Sequence, residues 1–116
     1  MTLHARLGYA VVVVAAVGAL LVLLARRRSD LVPTVRVFVR LCALTALLQA
    51  VIGLVLLAAG HRPAQGIHFF YGAATVLPIP LAGLYARYSP AQQETLVLLA
   101  GVAATALFGL RAATTG

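Results

Sequence analysis

The sequence predicts an all-α integral membrane protein, a four-helix up-down bundle made of two antiparallel hairpins. Two observations carry that prediction. Of 116 residues, 63% are hydrophobic and only 9% charged, whereas a soluble domain carries about a quarter charged residues. The charges and histidines also leave four long runs free: Leu7–Ala25, Leu41–Gly60, Phe69–Ala86 and Thr95–Leu110. Crossing ~30 Å of hydrocarbon as a helix takes roughly 17–25 residues. The first three runs meet that length, and the fourth meets it once Ala91–Gln93 and Ala112–Ala113 extend it. Backbone groups in hydrocarbon must be satisfied within their own segment, so such runs are helices. Val11-Val12-Val13-Val14 lacks the alternation a barrel strand would show. The composition excludes a soluble enzyme, a disordered tail and a nucleic-acid module. The net charge of +7 comes from arginines separated by apolar runs, which form no basic face.

The first helix is expected at about 7–25. A cleaved signal peptide would have a shorter apolar stretch of about 7–15 residues and a small-residue cleavage site. Arg26-Arg27-Arg28 instead stops transfer, so this helix is read as retained. The second helix is expected at about 37–59, the third at 67–86 and the fourth at 93–112, with Glu94 and Arg111 reaching to the headgroups. Short connections make consecutive helices antiparallel neighbours, and no linker divides the single domain over residues 1–116. Arginine counting orients it. Arg26, Arg27, Arg28, Arg36, Arg40 and Arg87 fall on one side, and Arg6, Arg62 and Arg111 on the other. Both termini are therefore expected outside a bacterial inner membrane, with the bilayer itself as first partner and Arg26, Arg27 and Arg28 at its headgroups. The exclusive use of arginine suggests a bacterial source by association.

Lipid is as apolar as leucine, so helices associate through close packing and a few hydrogen bonds. Small residues mark where backbones can meet: Gly101, Thr105 and Gly109 on the fourth helix, Ala46, Ala50 and Gly53 on the second, and Ala15 with Ala19 on the first. Pro78 and Pro80 each remove a backbone donor, so the third helix should break near Val76–Leu77 and leave carbonyls around Thr75 in need of partners.

All three histidines, His4, His61 and His68, fall on the outer side. His68, Tyr71 and Thr75 share one face of the third helix, and Gln49 lies among apolar residues of the second. Gln49 and Thr75 could meet as an interhelical clamp. Three roles suit this set. His68 could be an axial haem ligand with His61 or His4 as the second, His68 and Tyr71 could be quinone-headgroup donors, or these residues could touch a partner protein. Phe69, Phe70, Tyr71, Tyr85 and Tyr88 otherwise read as interfacial anchors. No Asp or Glu lies inside any run, whereas ion-coupled transporters place a carboxylate at depth. Small multidrug transporters of similar length depend on a glutamate in the first helix, and none is there. Cys42 is alone, so no disulfide or zinc site is expected. No nucleophile-plus-base set exists, so no catalytic residue is assigned and no enzyme is expected.

Leu48-Gln49, Ile52-Gly53, Gly60 and then His68 resemble part of the haem A synthase family, which is built of four-helix halves with histidine ligands near the outer surface. The resemblance covers the second and third helices and implies His68 as a ligand position with haem b as cofactor. The run from Gly60-His61-Arg62-Pro63 through Tyr71-Gly72, and the terminal Gly109-Leu110-Arg111-Ala112, are also similar to small uncharacterised four-helix bacterial membrane proteins. The first expectation for function is an accessory or assembly subunit of a larger, respiratory-type membrane complex, acting by contact as a homo-oligomer or with other membrane subunits. A haem-binding or electron-transfer protein using His68, and a small transporter or channel using the Pro78–Pro80 break, are the alternatives.

Overall fold

The computed structural model describes residues 3–63 and 65–116. Five α-helices make four long segments: α1 (Leu3–Ala25), α2 (Val32–Ala58), α3 (His68–Val76) with α4 (Pro78–Arg87), and α5 (Glu94–Thr115). Short 3-10 turns, Ser29–Leu31 and Ala91–Gln93, lead into α2 and α5. All four segments are long and apolar enough to cross a membrane.

Three boundaries differ from expectation: the first helix starts at Leu3 rather than near residue 7, which makes His4 and Arg6 helical, and two others shift as well. The second helix starts at Val32 rather than near residue 37, because Pro33 lies in its first turn, where a missing N–H breaks no intrahelical bond. Arg36 and Arg40 are therefore helical rather than part of the first loop. The last helix continues to Thr115 rather than ending near 112. At the other end of α2, Gly60 adopts φ +92°. Its N–H bonds Leu57 O and that of His61 bonds Leu56 O, both at 3.0 Å. This pairing closes a helix on a left-handed residue, a position that favours glycine.

Apart from Gly101 and Thr115 on α5, the buried positions keep one repeat. They are Val11, Ala15, Gly18, Val22 and Ala25 on α1, and Val35, Val39, Cys42 and Ala46 on α2. On α3–α4 they are Thr75, Ile79 and Ala82, and on α5 Leu98, Val102, Thr105 and Gly109. Steps alternating between four and three residues trace the seam of a left-handed supercoil. Ala19, expected on the α1 ridge, is only half-buried, and Gly18 takes the seam position. Contacts along the seam fix the topology. Val14 and Gly18 of α1 face Cys42 and Phe38 of α2, and Gly109 of α5 faces Val11, Val12 and Thr75. Each helix thus runs antiparallel to its neighbours. α5 packs against both α1 and the broken segment, while α2 leans mainly on α1 and touches α3 and α4 less.

The break falls where the prolines predict it, between Val76 and Pro78. The Thr75 carbonyl takes a hydrogen bond from Thr105 Oγ1 at 3.1 Å, fully inside the protein. Gly101 lets α5 close on the same region: a Cβ there would stand 2.7 Å from Ala82 Cβ and 3.2 Å from the Pro78 carbonyl. Gly101, Thr105 and Gly109 therefore serve packing within the chain.

At the opposite end from the histidines, Arg36 makes a two-pronged bond to Glu94 at 2.6 and 2.8 Å, tying α2 to α5. The Arg36 side chain is half exposed, so the pair contributes no more than about 1 kcal/mol.

Two substitutions test the packing. Gly101→Ala should lower stability by about 1–3 kcal/mol, read as thermal unfolding in detergent, whereas Gly72→Ala, with open space around it, should change it little. Thr105→Val leaves the Thr75 carbonyl unpaired and should cost about 0.6–1.7 kcal/mol in the same assay.

Candidate functional site

The seam continues past its apolar stretch toward the end where α1 and α3 begin and α2 and α5 finish. Counting on in the same steps reaches Gly8 and His4 on α1, Gln49 and Gly53 on α2, His68 on α3, and Ala112 and Gly116 at the end of α5. One end layer thus receives a polar group from every segment.

His68 is the anchored member. Its Nδ1 lies 2.8 Å from the Ala112 carbonyl and 3.3 Å from Thr115 Oγ1. Ala112 is within the last turn of α5, and its carbonyl also takes the Gly116 N–H and the Thr115 hydroxyl, both at 3.2 Å. A carbonyl can only accept, so Nδ1 is the donor, and a ring protonated there alone leaves Nε2 its lone pair. A Cβ at Gly116 would stand 2.8 Å from His68 Cε1, so the bare backbone there is what admits the ring. The connection before α3 is tied to the same place by Gln65 N–H donating to the Thr115 carbonyl at 3.1 Å.

His4 faces it, with ring centroids 6.0 Å apart and planes at 83°. Its ring sits over Gly53, where a Cβ would come within 3.1 Å of Cε1. The Gln49 side chain lies over Gly8 and donates from Nε2 to the His4 carbonyl at 2.6 Å. Among the described residues, two buried side-chain atoms have no hydrogen-bond partner, His4 Nδ1 and Gln49 Oε1, and both belong to this cluster. An unpaired buried polar group costs about 1–3 kcal/mol, and such residual polarity concentrates at functional sites.

The expected face of the third segment is present. His68, Tyr71 and Thr75 all meet α5: His68 through Ala112, Tyr71 through the Arg111 guanidinium 5.4 Å from its ring centroid, and Thr75 through Thr105. Arg111 is thus stacked on an aromatic face. The Gln49–Thr75 clamp does not form. Gln49 is engaged with the first turn of α1, and the Thr75 hydroxyl donates to its own Tyr71 carbonyl at 2.7 Å. His61 is exposed in the connection after α2, and the imidazole standing against His68 is that of His4. The sequence marks His4 only as an alternative to His61; the signal that selects it is the α1 repeat counted back from Val11. Pro78 and Pro80 break the helix. Pro78 lines a shallow groove with Leu81, Ala82, Tyr85, Val97, Ala100 and Gly101. Arg26, Arg27 and Arg28 lie at the other end of the molecule, with Arg28 bonded to Asp30 at 3.1 Å.

Among the described residues, no three His, Cys, Asp or Glu side chains come together. Comparison of the chain with family models, with curated proteins and with solved structures finds no match.

The hydrogen-bond assignment has a direct check. Nitrogen-15 NMR of the protein in micelles should show His68 as the Nδ1-protonated neutral tautomer. An Nε2-protonated ring would contradict the bond to Ala112.

Proposed function

We propose that the four segments cross a bilayer and that His4 and His68 together hold a metal-centred cofactor, haem b, at one end of the bundle, making this a haem-binding or electron-transfer protein of a bacterial inner membrane. The observation that carries this reading is the pairing of two imidazoles from different segments with centroids 6.0 Å apart. A metal–imidazole bond is about 2.0–2.1 Å long, so one metal centre can be shared across that separation. The donor chemistry fits. A ligating histidine commonly donates its other ring N–H to a backbone carbonyl, which orients the ring, and Ala112 does this for His68. On His4, the buried Nδ1 has no hydrogen-bond partner among the described residues. Side chains on facing helices are a common way for bundles to hold such groups. The two residues that would hold the group in this reading are thus His4 and His68, rather than His61 and His68.

Arginine bias places the His4–His68 end outside, together with both termini, and the Arg26–Arg28 end in the cytoplasm. The transport alternative loses its support, because the Pro78–Pro80 break is engaged in packing through Thr105 and Gly101. The quinone reading weakens as well, since the Tyr71 ring is paired with Arg111.

A second reading, the contact-acting accessory subunit, is favoured by one observation. Gly8, Gly18, Gly53, Gly101 and Gly109 each press against a neighbouring segment, but Gly72 and Gly83 on α3 and α4 have nothing within 4 Å. Small residues turned outward suit the approach of another membrane helix. A protein that runs as a lone monomer after gentle extraction, with nothing co-purifying, would end that reading.

The leading proposal is tested by the absorption spectrum of protein expressed with ample haem. A Soret band is expected, lost in His4→Ala and in His68→Ala and kept in His61→Ala. A featureless wild-type spectrum, or equal loss with His61→Ala, rejects it. Labelling should also place residues 61 and 87 on opposite faces of the membrane.

A further inference from the structure

We infer that the cytoplasmic end of α1 carries a binding site for one anionic phospholipid, with Arg26 and Arg27 holding the phosphate and the leucine face beneath them holding an acyl chain. The inference rests on the membrane reading, not on the histidine pair. A groove at this end is lined by Leu20, Leu23, Leu24, Arg26 and Arg27. Leu20, Leu23 and Leu24 follow the i, i+3, i+4 spacing of a single helix face, and Arg26 and Arg27 lie in the turn that directly follows α1. That face is turned away from the interior, since the buried seam of α1 uses Gly18, Val22 and Ala25. The leucines are 45–66% exposed, so an acyl chain can lie along them.

Charge complementarity identifies the occupant. The chain has only two acidic side chains, and both are engaged: Asp30 with Arg28, and Glu94 with Arg36. Arg26 and Arg27 have no carboxylate among the described residues to neutralise them. Their counter-charge must come from outside the chain, at the depth where lipid phosphates lie. The guanidinium fork matches a phosphate's paired oxygens better than an ammonium does, and every cation in this chain is arginine. Arg28 belongs to the triple-arginine run but not to the site, because Asp30 already occupies it.

Native mass spectrometry of the full chain, released from mixed micelles holding equal phosphatidylcholine and phosphatidylglycerol, tests this. One phosphatidylglycerol should be retained in preference to phosphatidylcholine. Arg26→Gln/Arg27→Gln should reduce its retention about tenfold, while Arg26→Lys/Arg27→Lys should fall between. The control Arg40→Gln/Arg87→Gln removes equal charge from the same end without touching the groove, and should stay within about twofold of wild type. Inorganic phosphate added in competition should not displace the lipid. Equal retention of the two lipids, equal loss in the control variant, or displacement by phosphate overturns the site and leaves only a diffuse positive field. Unfolding temperatures of the variants separate a lost site from a lost fold. A wild type without a Soret band that still selects phosphatidylglycerol would reject the haem reading alone.

Discussion

The architecture depends on how closely α5 can approach its neighbours. Hydrophobic burial gives helices in lipid little reason to associate, so contact distance decides what is gained. Gly101 removes the atom that would collide with Ala82 and the Pro78 carbonyl, and Gly109 does the same toward Val12 and Thr75. Between them, Thr105 places its hydroxyl on the Thr75 carbonyl. The sequence of causes is compact. Two prolines interrupt the third segment, the interruption leaves a carbonyl needing a donor, and a threonine between two glycines can come near enough to supply it. Because α5 also packs along α1, the same ridge sets the position of the first segment.

The end layer inherits its geometry from that ridge. Ala112 and Gly116 are the next seam positions on α5, so His68 meets the closing turn of a helix, where the Ala112 carbonyl takes its Nδ1 and the bare Gly116 backbone leaves room for the ring. On the opposite pair of helices, Gly8 and Gly53 leave room for Gln49 and His4 to lie across each other. Small residues that elsewhere bring backbones together here admit polar side chains into the same interface. A polar layer at the end of an apolar seam costs less than one at its middle, because water and headgroups are close.

Much of this was legible in the sequence, and what was not has identifiable causes. Segment number followed from the uncharged runs, and the break from Pro78 and Pro80, because both reflect local chemistry that holds in any packing. The Gly101–Thr105–Gly109 ridge was readable for the same reason. The start of α2 is masked in the sequence because Arg36 and Arg40 look like loop residues by charge, while Pro33 opens the helix ahead of them. The pairing of His68 with His4 was hidden by distance along the chain. His61 is closer in sequence, but it lies just beyond a glycine cap that turns the chain away from the bundle. A Gln49–Thr75 pairing assumes equal depth on adjacent segments, whereas register along the seam places Gln49 beside the first turn of α1.

The two ends of the molecule solve opposite electrostatic problems. At the arginine end, fixed charge is abundant and acid scarce. Asp30 and Glu94 serve as internal ties, and the remaining guanidiniums need partners from their surroundings. At the histidine end, the side chains meeting in the seam are neutral or conditionally charged, and they can be brought within the bundle at far lower desolvation cost than an arginine. Burial of this kind suits groups that donate lone pairs rather than groups that neutralise anions. The same scarcity of formal charge that makes these helices apolar enough to cross a bilayer therefore separates the two proposals by chemistry: phosphate recognition is proposed where the arginines stand exposed, and ligation where two imidazoles face each other across the seam.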